Sequence, residues 1–524
     1  MKRYFYFLAS FCFLLLWSSC RKDFDFTPTE GALRFSKDTV YLDTVFTNIG
    51  SSTYTLKVYN TSNNDISIPK IKLQDGQNSN YRLNVDGMTG DTPLTGKEFT
   101  DVELLAKDSM YIFIETTIDI QSLVSDDTQF LYTDAIEFGL NNKQTVELVT
   151  LVKDAVFIYP QQFTNPDGST VIETLSFDVD GDGVSDETNI QGRFLEDNEL
   201  NFTNEKPYVI YGYAAVDEGK TLNIAAGARV HFHANSGLLV TNNASLHANG
   251  LLSTDDELLE NEIIFEGDRL EPGFSEVPGQ WQTIWLFSGS TDNKFDYTTI
   301  KNSTVGILVD GNQDDSSKLQ INNSQIYNSS NFGVLGRATA ITAENLVINK
   351  SGQSSFAATY GGNYNVTHST IANYWSNSFR QFPALLLNNF ITDSDQNIIP
   401  NNLNSANFTN CIIYGNDNPE LLLDQIPEAD FNFKFKNCLL LFNDPNNNFT
   451  GPYYNFNDID FYENMLFNLD PEFHDPQQNK LQIPLTSPAA GQGTNAGSLG
   501  SDIRQISRPS PSDIGAYNAV DLEN

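Results

Sequence analysis

Apolar and polar positions alternate with the two-residue period of a β-strand through much of this chain, and six of the alternating stretches superpose without gaps. Anchored on Ile300, Ile326, Ile348, Ile371, Ile413 and Leu440, the position five residues earlier reads Phe295, Ile321, Ala343, Val366, Phe408 and Phe435. Its neighbours are polar: Lys294, Gln320, Thr342, Asn365, Asn407 and Lys434 precede it, and Asp296, Asn322, Glu344, Thr367, Thr409 and Lys436 follow. Each stretch predicts one strand of one coil. Three residues before the anchor stand Tyr297, Asn323, Asn345, His368, Asn410 and Asn437, and four asparagines stacked along an axis predict amide hydrogen bonds passed from coil to coil. The anchor spacings of 26, 22, 23, 42 and 27 residues fit units that bury their apolar faces only by stacking, a parallel β-solenoid.

Closely spaced alternating segments extend the solenoid upstream: Thr221-Leu222-Asn223-Ile224, Val230-His231-Phe232, Gly237-Leu238-Leu239-Val240 and Ser245-Leu246-His247. Nearer the amino terminus, Thr53 to Tyr59, Tyr81 to Val85, Met110 to Ile114, Asp134 to Phe138 and Val146 to Leu151 are separated by Gly, Asn, Asp and Ser, and predict a β-sandwich over residues 28 to 155. A chain of 524 residues is long enough for both.

Lys2 and Arg3 precede an apolar run from Tyr4 to Trp17, then Ser18, Ser19 and Cys20; this reads as a secretion signal too short to span a bilayer. The small residues before Cys20 resemble a bacterial lipobox, which implies cleavage there and lipid on Cys20, although Trp17 stands where a smaller aliphatic is usual. Arg21 in place of an aspartate implies, by the same resemblance, the outer membrane, with surface exposure open; the alternative is plain secretion. Without residues 1 to 19 the chain keeps 28 Lys plus Arg against 67 Asp plus Glu. That acidity excludes a phosphate-binding stripe and hence nucleic acid as a partner, and the membrane is expected to be met only through the lipid. Cys411 and Cys438 share a column one coil apart; a stacked pair of free thiols is expected, because parallel Cβ vectors hold the sulfurs poorly for a disulfide.

Asp178-Val179-Asp180-Gly181-Asp182-Gly183-Val184-Ser185-Asp186 places acids at positions one, three, five and nine and glycine at six, the spacing with which oxygen ligands wrap calcium. Asp178, Asp180, Asp182, Val184 (through its carbonyl) and Asp186 are the candidate ligands of a structural Ca2+, clamping a hairpin between Thr174–Phe177 and Ile190–Phe194; an acidic turn without metal is the alternative. The loop resembles the DxDGDGxxD repeats of extracellular calcium modules such as thrombospondin type 3. Asn189 stands at position twelve, so an EF-hand is not expected.

Asp43 to Gly50 followed by Leu56 to Asn60 resembles the opening of immunoglobulin-like domains of the abnormal-spindle/hydin type. Gly279 to Leu286, Ser487-Pro488-Ala489 through Thr494, and Asp513-Ile514-Gly515-Ala516-Tyr517 resemble segments of secreted right-handed parallel β-helix proteins of the pectin-lyase-like superfamily, with Gly491 where their first end-motif has an aspartate. The resemblance implies an all-β protein: signal peptide 1–19, tether 20–27, immunoglobulin-like β-sandwich 28–155, connector 156–218 with calcium-type hairpin and helix cap, right-handed parallel β-helix 219–445, and C-terminal coils and cap 446–524.

Such a fold serves lyases, hydrolases, adhesins and inert spikes, so activity must be read from residues. No Gly-His-Gly element of the hydrolases occurs. Asp296 and Glu344 form the best carboxylate pair, two coils apart and hence about 9.6 Å, with Lys294 adjoining as a lyase-like base. His231 and His233 share one strand face with the spacing of a metal pair but lack a third ligand, so ordinary surface or cap histidines are the preferred reading, and Tyr360, Tyr364, Trp375, Tyr453 and Tyr454 suit a sugar-stacking platform or, for most of them, the core. The sequence favours binding of a glycan or another extracellular partner such as a surface protein, over a polysaccharide lyase or glycoside hydrolase, with a structural adhesin as the third reading and no catalytic cofactor.

Overall fold

A computed structural model describes residues 26–28, 33–93, 95–122, 129–255, 258–315, 318–495 and 498–522; the signal segment and Cys20 lie outside them. The molecule is all-β with large parallel sheets, as a β-helix requires, and among the described residues the helical turns are short and of the 3-10 type. Contacts divide the chain after Asp154 into two units.

In the first unit, strands Leu33–Phe35, Tyr54–Asn60, Ser109–Thr116 and Tyr81–Val85 form one sheet. A second sheet holds Thr39–Phe46, Ile66–Leu73, Glu98–Leu104, Gln129–Phe138 and Gln144–Lys153. Alternate residues of both, among them Val40, Leu56, Ile71, Ile112, Ile136 and Leu148, are fully buried in one core, which is why the period-two pattern was legible there.

The second unit stacks coils of three strands. In one coil these are Val305–Asp310, Leu319–Asn322 and Gln325–Ser329, and each pairs in parallel with its counterparts in the coils before and after. Both aligned columns pair in the register the repeat requires: Phe295 to Ile321 to Ala343 to Val366 to Phe408 to Phe435, and Ile300 to Ile326 to Ile348 to Ile371 to Ile413 to Leu440. All twelve face one continuous core running from Ile158 to Tyr462. Within residues 156–218, Val156–Ile158 already pairs in parallel with Tyr208–Ile210, while Gln162–Thr164 and Thr170–Ile172 form a two-stranded hairpin of their own. The 42-residue spacing accommodates an excursion that includes an antiparallel hairpin, Phe390–Thr392 with Ile398–Pro400.

Each aligned stretch proves to be two strands, not one, hinged at the column expected to form an amide ladder. Tyr297, Asn323, Asn345, His368, Asn410 and Asn437 all adopt positive φ, between 44° and 56°. Asparagine tolerates this left-handed corner better than other side chains bearing a Cβ, so the column is set by backbone geometry first and by amide bonding second. The amide ladder is partial: Asn345 Nδ2 donates to Asn323 Oδ1 at 2.8 Å, Asn323 Nδ2 to Asp296 Oδ1 at 3.0 Å, and Asn410 Nδ2 faces His368 Nε2 at 2.8 Å. The other bonds go to a segment that follows the coils in the chain, through Ser501 O, Thr494 O and Gln492 O. That segment also lays Leu481, Ile503, Ala516 and Tyr517 on Tyr327, Val347 and Ala372, and lays Ile483, Ala489 and Ile514 on Ile412 and Leu439. Cys411 and Cys438 follow the corner, point inward and are free thiols, with Cys411 N donating to Cys438 Sγ at 3.4 Å.

Candidate functional site

The strands preceding the corner carry two outward polar columns. One runs His247, Lys294, Gln320, Thr342, Asn365, Asn407, Lys434; the other runs Asn249, Asp296, Asn322, Glu344, Thr367, Thr409, Lys436. Strand alternation dictates this, since their sequence neighbours Phe295, Ile321, Ala343, Val366, Phe408 and Phe435 are buried. Asn365 and Asn407 are exposed, and Lys294, Gln320 and Thr342 are partly so. Successive rungs lie about 4.8 Å apart.

The second column is bordered by the returning segment. Glu344 Oε1 accepts from Leu499 N at 2.6 Å and the residue is buried. Burial pushes its carboxyl upward against the Leu499 hydrogen bond and the charge of Arg508. Burial likewise raises Asp296, opposed by the Asn323 amide. Asp296, Asn322 and Glu344 occupy one column in consecutive coils, as the sequence required. Lys294 does not join them: its Nζ pairs with Asp292 Oδ1 at 2.7 Å, and Asp292 Oδ2 also takes His247 Nε2 at 3.2 Å. The lyase-like trio is therefore a carboxylate pair with its lysine turned to another acid.

The two histidines on one strand face are held apart chemically. His231 Nδ1 meets Gly267 O at 3.2 Å, with Glu266 at 3.7 Å, while His233 Nδ1 meets Asp268 Oδ2 at 2.8 Å and stacks on Tyr211. The Asp268 hydrogen bond raises His233. The aromatic residues suited either to a sugar-stacking platform or to the core fall mainly on the core side. Tyr364 lies in the core, Trp375 is buried with Nε1 donating to Ser378 Oγ, and Tyr360 is a positive-φ corner. Tyr453 and Tyr454 pack against Phe431, Phe442 and Phe449.

The acidic loop joins Thr174–Phe177 to Asp186–Phe194 as an antiparallel hairpin. Leu175 and Phe177 pack on Ala215, Leu239 and Phe287, and Asn242 Nδ2 donates to Asp178 O at 2.8 Å, so the hairpin is built onto the first coils. Asp178, Asp180 and Asp186 each present a carboxylate oxygen within 4.8 Å of the others, the only such group of three among the described residues. Asp182 turns its Oδ1 to Val184 N at 2.7 Å. Gly181 and Gly183 have φ of 85° and 84°, which a side chain would strain.

Sequence reasoning missed a buried ion pair. Arg380 donates through Nη1 and Nη2 to the two oxygens of Glu420 at 2.8 and 2.6 Å, and Nε reaches Asp417 Oδ2 at 3.1 Å. It also missed the returning segment, whose end-motif residues say nothing of where they dock.

No protein-family model matches the chain, and no curated protein sequence matches it. Among solved structures, the catalytic unit of a GH87 α-1,3-glucanase from Streptomyces thermodiastaticus is similar over 74% of this chain and 78% of its own, at 12% identity and a TM-score of 0.22. A second GH87 α-1,3-glucanase catalytic domain, in complex with tetrasaccharides, covers 74% and 81% at 11% identity and a TM-score of 0.20. The ASH/PapD-like domain of human CEP192 covers 26% of this chain and 94% of its own at 11% identity and a TM-score of 0.15. Likeness at these TM-scores carries no argument about this chain.

Proposed function

We propose that the chain is a lipid-anchored protein of the outer membrane or cell surface, with an immunoglobulin-like β-sandwich and a right-handed parallel β-helix that binds a glycan along its outward polar columns. One observation carries the reading: amide and hydroxyl side chains from consecutive coils, Gln320, Thr342, Asn365 and Asn407, repeat on one face at strand spacing. Such groups satisfy sugar hydroxyls in series. A glycoside hydrolase is the second reading, favoured by Asp296 and Glu344 standing about 9.6 Å apart with both carboxyls raised by burial. A raised carboxyl is what a general acid needs.

Incubation with neutral and acidic polysaccharides, α-1,3-glucan included, separates the two when both retention and new reducing ends are followed. Retention should weaken roughly tenfold in Asn365→Ala with Asn407→Ala, the loss of about 1.4 kcal/mol of binding; unchanged retention would sink the assignment to this face. Reducing ends that disappear in Glu344→Gln would establish hydrolysis.

Calcium in the 178–186 loop would hold the hairpin without taking part in chemistry, with Asp178, Asp180 and Asp186 as its carboxylate ligands. Their mutual repulsion without the ion predicts a chelator-induced fall in melting temperature that Asp180→Ala with Asp186→Ala abolishes and Asp182→Ala leaves largely intact. A double variant that still responds to chelator places the ion elsewhere. Cys20→Ala is expected to move the protein from the membrane to the soluble fraction, and membrane retention of that variant would remove the lipid anchor from the reading.

A further inference from the structure

The outer face of the four-stranded sheet in the first unit departs from the polar surface its antiparallel strands would ordinarily present. Alternation turns Tyr111 and Phe113 of Ser109–Thr116 to solvent, 46% and 39% exposed, while Met110, Ile112 and Ile114 enter the core. Pairing with Tyr54–Asn60 puts Lys57 directly opposite Tyr111 and Thr55 opposite Phe113, and pairing with Leu33–Phe35 puts Arg34 opposite Tyr59. The rings of Tyr111 and Phe113 lie 6.4 Å apart with planes 23° from parallel. Lys57 Nζ sits 5.1 Å from the centre of Tyr111 and 5.4 Å from that of Tyr59, over which Arg34 Cζ also lies at 4.7 Å.

Two features of this face ask for a ligand. The first is apolar: the rings of Tyr111 and Phe113 are exposed and that of Tyr59 is half-buried on one sheet face, where the carbon-bound hydrogens of a pyranose ring can lie against them. The second is charge. The chain carries 67 acids against 30 bases, yet Arg34 and Lys57 share one tyrosine ring and neither has a carboxylate within ion-pair distance among the described residues. An anion placed between them would be attracted to both at once. A guanidinium beside an ammonium is well suited to a carboxylate or sulfate group.

We propose that Tyr59, Tyr111 and Phe113, with Arg34 and Lys57, form a second binding surface, for an anionic polysaccharide whose sugar rings stack on the aromatic side chains and whose acidic groups meet the two cations. It lies wholly within the first unit and is independent of the polar columns on the coils.

The test uses the full mature chain and three probes: polygalacturonate, dextran, and vesicles of phosphatidylcholine with phosphatidylglycerol. Polygalacturonate should retain the protein, dextran should not retain it through this face, and retention should fall with added salt. Tyr111→Ala with Phe113→Ala should weaken polygalacturonate binding roughly tenfold or more, as should Arg34→Ser with Lys57→Ser, whereas Asn365→Ala with Asn407→Ala should leave it unchanged. These side chains lie outside the core, so unchanged thermal unfolding of each variant separates lost contacts from lost fold. Polygalacturonate binding that survives both first-unit variants overturns the proposal, as does binding to the vesicles alone, which would make the face a membrane contact.

Discussion

Asn345→Leu is expected to lower stability by on the order of 3 kcal/mol, read as a fall in the denaturant midpoint at constant slope. Two causes add. Asn345 is fully buried at a φ of 54°, where a leucine Cβ is strained. Its amide also ties three elements together: Nδ2 donates to Asn323 Oδ1 and to Ser501 O, while Oδ1 accepts from Arg508 Nη2 at 2.6 Å. Arg508 is buried, its Nε and Nη1 have no hydrogen-bond partner among the described residues, and burial pulls its pKa down to about 10. Leucine would take from this guanidinium one of its few acceptors. Asn345→Gly, which relieves strain but restores no hydrogen bond, should recover roughly 1 kcal/mol relative to leucine. A leucine variant with the wild-type midpoint would show that the corner column contributes nothing to stability.

Arg380→Ala should cost about 3–5 kcal/mol, because it strands a carboxylate in the interior. Arg380 pins the long excursion between the coils anchored at Ile371 and Ile413. Glu420, fully buried, also accepts from Ala384 N at 2.7 Å and from Asp417 N at 3.1 Å. Burial already raises this carboxyl despite the arginine. Removing the arginine raises it further, so the folded variant binds a proton that the unfolded chain, with an ordinary glutamate near 4.3, has released. Its stability therefore falls as pH rises, and the gap from wild type should be smallest near pH 4 and largest at neutral pH. Replacing both partners, Arg380→Met with Glu420→Leu, should regain part of the loss but not all, since the Ala384 and Asp417 amides then lack an acceptor. A gap that does not vary with pH would mean that Glu420 is not the stranded charge.

How much of this was legible before the structure depends on which physical constraint each residue answers to. The register of the coils was legible because burial enforces it: a one-residue slip would carry Phe295 or Phe408 to the outside. The corner was half legible. Asparagine at one position in four coils signalled something shared, but an apolar–polar pattern records which face a residue occupies and not the sign of φ, so a hinge read as a ladder rung. Asp296 and Glu344 fell in one column as their spacing demanded, whereas the turn of Lys294 toward Asp292 depends on side-chain competition that spacing cannot express. The Arg380–Glu420 pair joins residues 40 apart in segments without periodicity, and nothing local marks either as buried. The aromatic face on the first unit was hidden for a different reason: Tyr111 and Phe113 suit any strand, and only their exposure separates a ligand surface from ordinary strand propensity.

The segment from Leu481 to Tyr517 follows in the chain the coils it fastens, so those coils cannot reach their full set of contacts before it is present. Coils that stack one upon the next can form as soon as each is available, but Asn345, Asn410 and Asn437 have side-chain bonds that no coil supplies. Without this segment, the outer apolar surface of Tyr327, Val347, Ala372, Ile412 and Leu439 would be open to water. A chain ending before Leu481 would therefore carry a bare apolar flank, a surface that a misplaced strand could occupy. One late stretch of chain thus touches every level from the coil of Tyr327 to the coil of Asn437, linking coils that otherwise contact only their neighbours.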